Sequence, residues 1–295
     1  MGSRSSRDRD RGGGSDRRGP ARRRAGARWS NRRVAVQTRF ALAEVIPEPG
    51  RPWRRLLRLD GEDCSHVDLL DATRIEFAYV RRFADVVDLL APPGAAIDAL
   101  HLGGGGFTLP RYVAATRPGS RSEVAELDRE LVALAQAELG LRTGRELRVR
   151  AYDAREVLER RASDSADLVV LDAFLGTLVP RHLRTAEFLA EAARALRPSG
   201  VFVANVIDAP PPLAARALVA GALGVFPHAA LIATRKVVRG RQGGNLVVVA
   251  SPTPLRLTDL RRRALAGPVP ELVVGGAELA TWAGNARPEH DAPAR

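Results

Sequence analysis

The stretch "HLGGGGFTLP", residues 101–110, decides the fold. An apolar run, "AIDALHL", enters four consecutive glycines, Gly103 to Gly106, and "LPRYVAAT" leaves them with helical spacing. Strand, glycine turn and helix in that order let a ligand approach the main chain, and the free N–H groups of the helix start can meet an anion. A tight turn with nothing bound would also use glycine. The residues further along separate the two readings.

Downstream, apolar runs and helical segments alternate. "EVAELD", "LRVRAYD", "ADLVVLDAF" and "GVFVANVID" read as strands, each followed by an amphipathic stretch. Thr185 is placed as the N-cap of the helix "TAEFLAEAARAL". "AALIATRKVV" and "GNLVVVAS" read as a closing hairpin. The pattern predicts an α/β fold: a seven-stranded, mostly parallel sheet with helices on both faces. Upstream, "RVAVQTRFALAEVIP" and "WRRLLRLDG", joined by a Pro-Gly turn, predict a small antiparallel β-element, and "DATRIEFAYVRRFADVVDLL" a linking helix. The expected organisation is a disordered Arg/Gly-rich tail over 1–32, the β-element and its helix over 33–92, a ligand-binding domain over 93–255, and a partly disordered extension with one weak helix over 256–295.

Composition narrows the function. The net charge of +12 sits mostly in residues 1–33, which hold 12 Arg and 3 Asp, so the folded part is nearly neutral. A nucleic-acid role beyond weak contacts of that tail is not expected. A single cysteine, Cys64, excludes an intrachain disulfide and fits a reducing compartment. No His/Cys spacing suits zinc, and no metal is expected. The Arg-rich start leads into no apolar signal segment, and no run of about 18 apolar residues predicts a membrane span, so a cytoplasmic protein is expected.

Ligands of open α/β sheets bind at the carboxyl ends of the strands. There the sequence places the glycines, Glu126, Asp153 and Asp172. Gly103 and Gly105 admit a close ligand. Glu126 lies at the spacing of an acid that accepts from a ribose diol. Asp153, with the Ala154 main chain, suits an adenine, and Asp172 would face a transferred group. Asp128, by contrast, reads as a helix cap. Gly-x-Gly-x-x-Gly fails because residue 108 is Thr, and no Gly-Lys-Ser/Thr follows, so an S-adenosyl ligand is favoured over a dinucleotide or a nucleoside triphosphate.

These motifs resemble those of the spermidine synthase (polyamine aminopropyltransferase) family over about residues 40–255. "LRLDG" and "IEFAYVR" resemble its N-terminal strand and helix start, and "LGGGGFTL" its glycine loop. "AELD" resembles its ribose motif, "YDA" its adenine motif and "VVLDAFLGTLVPRHLRTAEFL" its catalytic loop. The resemblance implies a Rossmann-like core of the class I methyltransferase type. It implies that Leu102, Gly103, Gly104, Gly105, Glu126, Leu127, Asp153 and Ala154 bind the nucleoside of decarboxylated S-adenosylmethionine. It further implies that Asp172 is the general base, that Tyr79 and Ala173 line the site of a putrescine-like amine, and that the chain forms a homodimer through its N-terminal sheet.

The chain departs from the family at the amine-binding positions. Gly106 stands where the loop has an acid, Leu175 where the catalytic loop has its second acid, Cys64 where a Gln is usual, and Val80 follows the channel tyrosine. The groups that bind adenosine are kept. Two alternatives therefore stay open: a methyltransferase using S-adenosylmethionine, and a degenerate, non-catalytic nucleoside-binding protein.

Overall fold

The computed structural model describes residues 30–292. All but the last three residues of the expected tail lie outside the described residues. The described chain begins with a four-stranded antiparallel meander: β1 (Val34–Gln37), β2 (Leu42–Glu48), β3 (Arg51–Leu59) and β4 (Glu62–Asp68). Pro49-Gly50 turns the chain between β2 and β3, and Asp60-Gly61, both with positive φ, between β3 and β4. Pro47 is tolerated within β2 because β1 pairs only as far as Val45, so no ladder partner is lost there. Helix α1 (Ala78–Leu90) follows, and Val80, Phe83, Ala84 and Val87 give it a buried stripe.

The main sheet is built from β5 (Asp98–Leu102), α2 (Thr108–Thr116), β6 (Arg121–Ala125), α3 (Arg129–Glu138), β7 (Leu147–Arg150), α4 (Ala154–Glu159), β8 (Ala166–Leu171), α5 (Ala186–Ala195) and β9 (Leu196–Asp208). It continues with α6 (Leu213–Val225), β10 (His228–Thr234), α7 (Arg235–Val238), β11 (Gly244–Ser251), α8 (Leu257–Leu265), β12 (Glu271–Gly275) and α9 (Ala277–Ala283). Its strand order is β12-β10-β11-β9-β8-β5-β6-β7. The five strands β9, β8, β5, β6 and β7, which run to one edge, are parallel, while β10, β11 and β12 join antiparallel at the other side.

The parallel strands are buried on both faces, and the period of two sorts their residues. Leu100, Leu102, Val169, Leu171, Phe202 and Ala204 pack with α4, α5, α6 and α9. Ala99, Leu168, Val170, Val201 and Val203 pack with α1, α2 and α8. Phe202 anchors the first face, stacked on Phe226 at 6.1 Å and edge-on to Phe188 at 6.5 Å. Thr185 caps α5 by accepting from Phe188 N at 3.2 Å.

Two features differ from the sequence reading. The sheet has eight strands rather than seven. In the 256–295 extension, expected to hold one weak helix, α8 and α9 flank β12, whose Val273 and Val274 are buried where the free edge of β10 accepts the strand. The buried Arg82 of α1 ties this strand down, meeting Glu271 at 3.2 Å and Asp85 at 3.0 Å. Helix α1 also ends without a basic residue in its last turn. The fully buried Arg117 serves instead, donating to the carbonyls of Val87 at 2.5 Å and Ala91 at 3.0 Å at the helix end, and to those of Pro92 and Ala95 just beyond it at 3.0 Å each.

The chain runs β5, β6, β7 to one side of the sheet and β8, β9 to the other. The order reverses between β5 and β8, which lie adjacent with Leu102 opposite Leu171. The crevice of an open α/β sheet opens at such a reversal.

Candidate active site

The carboxyl ends of β5 and β8 form the floor of the crevice. The main chain closes it tightly: Asp172 N donates to Leu102 O at 2.8 Å and Gly103 N to Ala125 O at 2.9 Å. Gly103 has φ +105°, and a Cβ there would fall 2.2 Å from Asp172 O. This glycine is therefore required by the approach of two strand ends. Phe107 N then donates to Gly104 O at 2.7 Å, closing a turn that hands the chain to α2.

Glu126 organises the glycine loop. Its Oε2 accepts from Gly104 N at 2.9 Å and Gly105 N at 3.3 Å, and its Oε1 accepts from Asp128 N at 3.0 Å. Burial raises its carboxyl above the usual range, while these three N–H groups pull it down. Asp128 caps α3, accepting from Leu131 N at 3.0 Å, as the sequence suggests. Leu127 is exposed at the mouth.

Asp153 starts α4, its Oδ1 accepting from Arg155 N at 2.8 Å. Its Oδ2 lies 3.1 Å from Nε2 of His182, which reaches across from the loop after β8. Ala154 packs its side chain into the core, leaving its main chain to the site. Tyr152 is exposed beside Asp153, with the Arg160 guanidinium over its ring at 5.2 Å.

Asp172 is the central acid. Asn205 Nδ2, on β9, donates to its Oδ1 at 3.2 Å, and the Tyr79 hydroxyl bonds to the same carboxylate. Burial pushes the Asp172 carboxyl up to about 7, against the pull of those two bonds. Burial beside this acid in turn raises the Tyr79 phenol well above its ordinary value. Tyr79 is held edge-on to Phe83 at 5.7 Å and parallel to Phe77 at 6.2 Å. Ala173 is half-buried against the core.

The meander contributes one wall. Ser65 Oγ accepts from Gly106 N at 3.1 Å, and Thr108 Oγ1 donates to His66 O at 3.2 Å. Cys64 lies against the Gly105 main chain, and burial, with the Asp172 and Glu126 charges, pushes its thiol up to about 12. It is no thiolate nucleophile near neutrality.

Thus Gly103, Gly104, Gly105, Glu126, Asp172 and Tyr79 converge on one crevice, while Leu127 follows Glu126, and Asp153 and Ala154 open α4 after the neighbouring strand β7. Leu102 lies beneath them: its side chain is completely buried, and its carbonyl accepts from Asp172 N. Asn205 and Ser65 went unread in the sequence, because an Asn inside the apolar run "VFVANVID" and a Ser in a meander strand carry no motif. The one signal was the polar residue itself, facing a core it could enter only with a partner. Among the described residues no group of three His, Cys, Asp or Glu converges as a metal-ligand set, and no helix is long and apolar enough to cross a membrane.

No family model matches the chain. A polyamine aminopropyltransferase of Vibrio vulnificus (strain CMCP6) is 34% identical over 149 residues, 50% of this chain and 48% of that protein. The chain thus matches about half the length of that curated relative. The crystal structure of a probable spermidine synthase from Corynebacterium glutamicum ATCC 13032 superposes with a TM-score of 0.83 at 28% identity, covering 88% of this chain and 97% of that one. Spermidine synthase from Thermotoga maritima superposes with a TM-score of 0.57 at 18% identity, over 79% of this chain and 77% of that one, a likeness of fold. The chain resembles the spermidine synthases in fold and, over about half of its length, resembles a polyamine aminopropyltransferase in sequence.

Proposed function

We propose that this chain is an aminopropyltransferase that takes the aminopropyl group of decarboxylated S-adenosylmethionine to a small amine. The observation that carries the reading is Asp172: a carboxylate held by Asn205 and Tyr79 at the end of β8, beside a glycine loop bound to Glu126. Glu126 would exchange main-chain partners for a ribose diol, and Asp153 would exchange His182 for the adenine amino group. The amine nitrogen attacks the aminopropyl carbon next to the sulfonium, the C–S bond breaks with its electron pair going to sulfur, and methylthioadenosine leaves. The new ammonium passes a proton to Asp172, whose raised pKa suits a general base near neutrality. The likeness to the probable spermidine synthase over 97% of its length supports this chemistry. Phe40, Leu42 and Leu70 expose apolar surface on the N-terminal part, which supports the homodimer that the resemblance implies.

One observation favours a second reading. A side chain at Gly106 would meet Ser65 Cβ at 2.5 Å, so the loop has no room for an acid to hold the aminopropyl ammonium. S-adenosylmethionine brings its own carboxylate, and methyl transfer is then the alternative. The deciding experiment is a thermal-shift titration with decarboxylated S-adenosylmethionine, S-adenosylmethionine, methylthioadenosine and S-adenosylhomocysteine, since ligands of the native state raise its midpoint. Preference for the decarboxylated pair, with release of methylthioadenosine on adding amine, supports aminopropyl transfer. Preference for the carboxylated pair moves the assignment to methyl transfer. No shift with any of the four removes both and leaves a degenerate site.

A further inference from the structure

Beside Asp172 lies a narrow cavity of about 30 Å³ between α1, α2 and the ends of β5 and β8. That volume has room for about two water-sized groups. Val80, Phe83, Leu109 and Val170 form apolar walls, and Asp172 is the only acid among the twelve residues that line it. His101, also on the wall, is completely desolvated and held down to about 3, so it is neutral. Glu126 is already committed to three main-chain N–H groups. Gly106 faces Ser65 without room for a side chain, Leu175 is exposed and apolar, and Asp208 at the end of β9 accepts from Ala209 N and Ala215 N.

We infer that the acceptor is a primary amine with one cationic nitrogen and a short apolar body, and that the site selects against diamines. The inference rests on the transfer reading above and names its substrate class. The donor already brings a positive sulfur and, in its decarboxylated form, an ammonium. An aliphatic amine has a pKa near that of lysine, about 10.4, so the second nitrogen of a diamine is charged at neutral pH. Among the lining residues it would meet the hydroxyls of Ser65, Tyr79 and Thr108 but no second carboxylate, and a charge held away from water without a counter-ion is strongly unfavourable. A monoamine places its single nitrogen at Asp172, which removes the proton, and its carbon chain against Val80 and Phe83. Selectivity here is rejection of the wrong charge rather than extra contacts with the right one.

The test uses the full chain with decarboxylated S-adenosylmethionine and measures methylthioadenosine formed with propylamine, butylamine, 1,3-diaminopropane and 1,4-diaminobutane. The expected result is a kcat/KM for the monoamines higher by about tenfold or more. Equal or better turnover of the diamines overturns the inference while leaving the transfer reading intact. Methylthioadenosine with none of the amines overturns it as well, and a thermal shift with the donor alone then shows whether the transfer reading falls too. Cys64→Asp adds an acid beside Asp172 and is expected to narrow the ratio by raising diamine turnover. An unchanged ratio in a folded Cys64→Asp protein counts against the charge argument.

Discussion

Asn205 holds Asp172 from the neighbouring strand: its Nδ2 donates to the carboxylate at 3.2 Å, while its own Oδ1 is buried without a partner. A bond to the charged form lowers a carboxyl pKa, so this amide opposes the burial that raises Asp172. Asn205→Leu removes the opposition. The rising limb of the pH–rate profile is then expected to move to higher pH, with little change in the affinity for methylthioadenosine. A profile that stays in place would show that the amide only fills space.

Asp172 itself acts when ionised, so activity is expected to rise through about pH 7 and level off above it. Asp172→Asn is expected to lower kcat by about 10²–10⁴-fold, the range for a lost general base, with donor binding retained. The stability consequence has a definite sign. The folded pKa lies above the unfolded one, so the native state holds the proton more tightly, and the stability of the wild type falls as pH rises from about 4 to 7. Asp172→Asn lacks that fall and is expected to be more stable than the wild type at pH 8, by about 2 kcal/mol after allowance for partial exposure. Urea unfolding at pH 5 and pH 8 measures it, and equal differences at the two pH values would contradict the burial argument.

Glu126→Ala leaves the N–H groups of Gly104, Gly105 and Asp128 without their acceptor. Each buried, unpaired N–H costs about 1–3 kcal/mol, less where water enters. The variant is expected to lose nucleoside affinity by about tenfold or more and to lower the melting temperature, because the loop and the ligand use the same carboxylate. Calorimetry with methylthioadenosine reads the first effect and thermal unfolding the second. Glu126→Gln keeps an acceptor oxygen and is expected to fall between them.

The alternation from "AIDALHL" to "GVFVANVID" exposed the parallel sheet, because strands buried on both faces are continuous apolar runs and their ends carry the crevice. The places of Glu126, Asp153 and Asp172 just after the ends of β6, β7 and β8 were legible for the same reason. The burial of Leu102 was not legible, because a strand's last residue can lie at the mouth or beneath it, and the bond from Asp172 N to its carbonyl is set by the neighbouring strand. Arg117, Asn205 and Ser65 were silent because each acts on a partner 33 to 41 residues away or on a helix end that spacing does not reveal. Strand β12 was silent because its burial depends on the edge of β10 and the charge of Arg82.

The four glycines differ in what they require, and Gly106 isolates the contact between the meander and the loop. A Cβ at this position would stand 2.5 Å from Ser65 Cβ and 3.2 Å from Val67 Cγ2, neither of which is a flexible chain end. Gly106→Ala is therefore expected to destabilise by about 1–3 kcal/mol, the usual range for overpacking. Ser65→Gly removes the nearer obstacle but also the hydroxyl that accepts from Gly106 N at 3.1 Å, so alone it destabilises as well. The two changes share one contact and should not add: the double variant is expected to be more stable than the sum of the singles implies, by about 0.5–3 kcal/mol in a double-mutant cycle. Urea unfolding of the four proteins gives that coupling directly. Strict additivity would mean that the loop and β4 are not in contact, and the argument that Ser65 excludes an acid from the loop would fall with it.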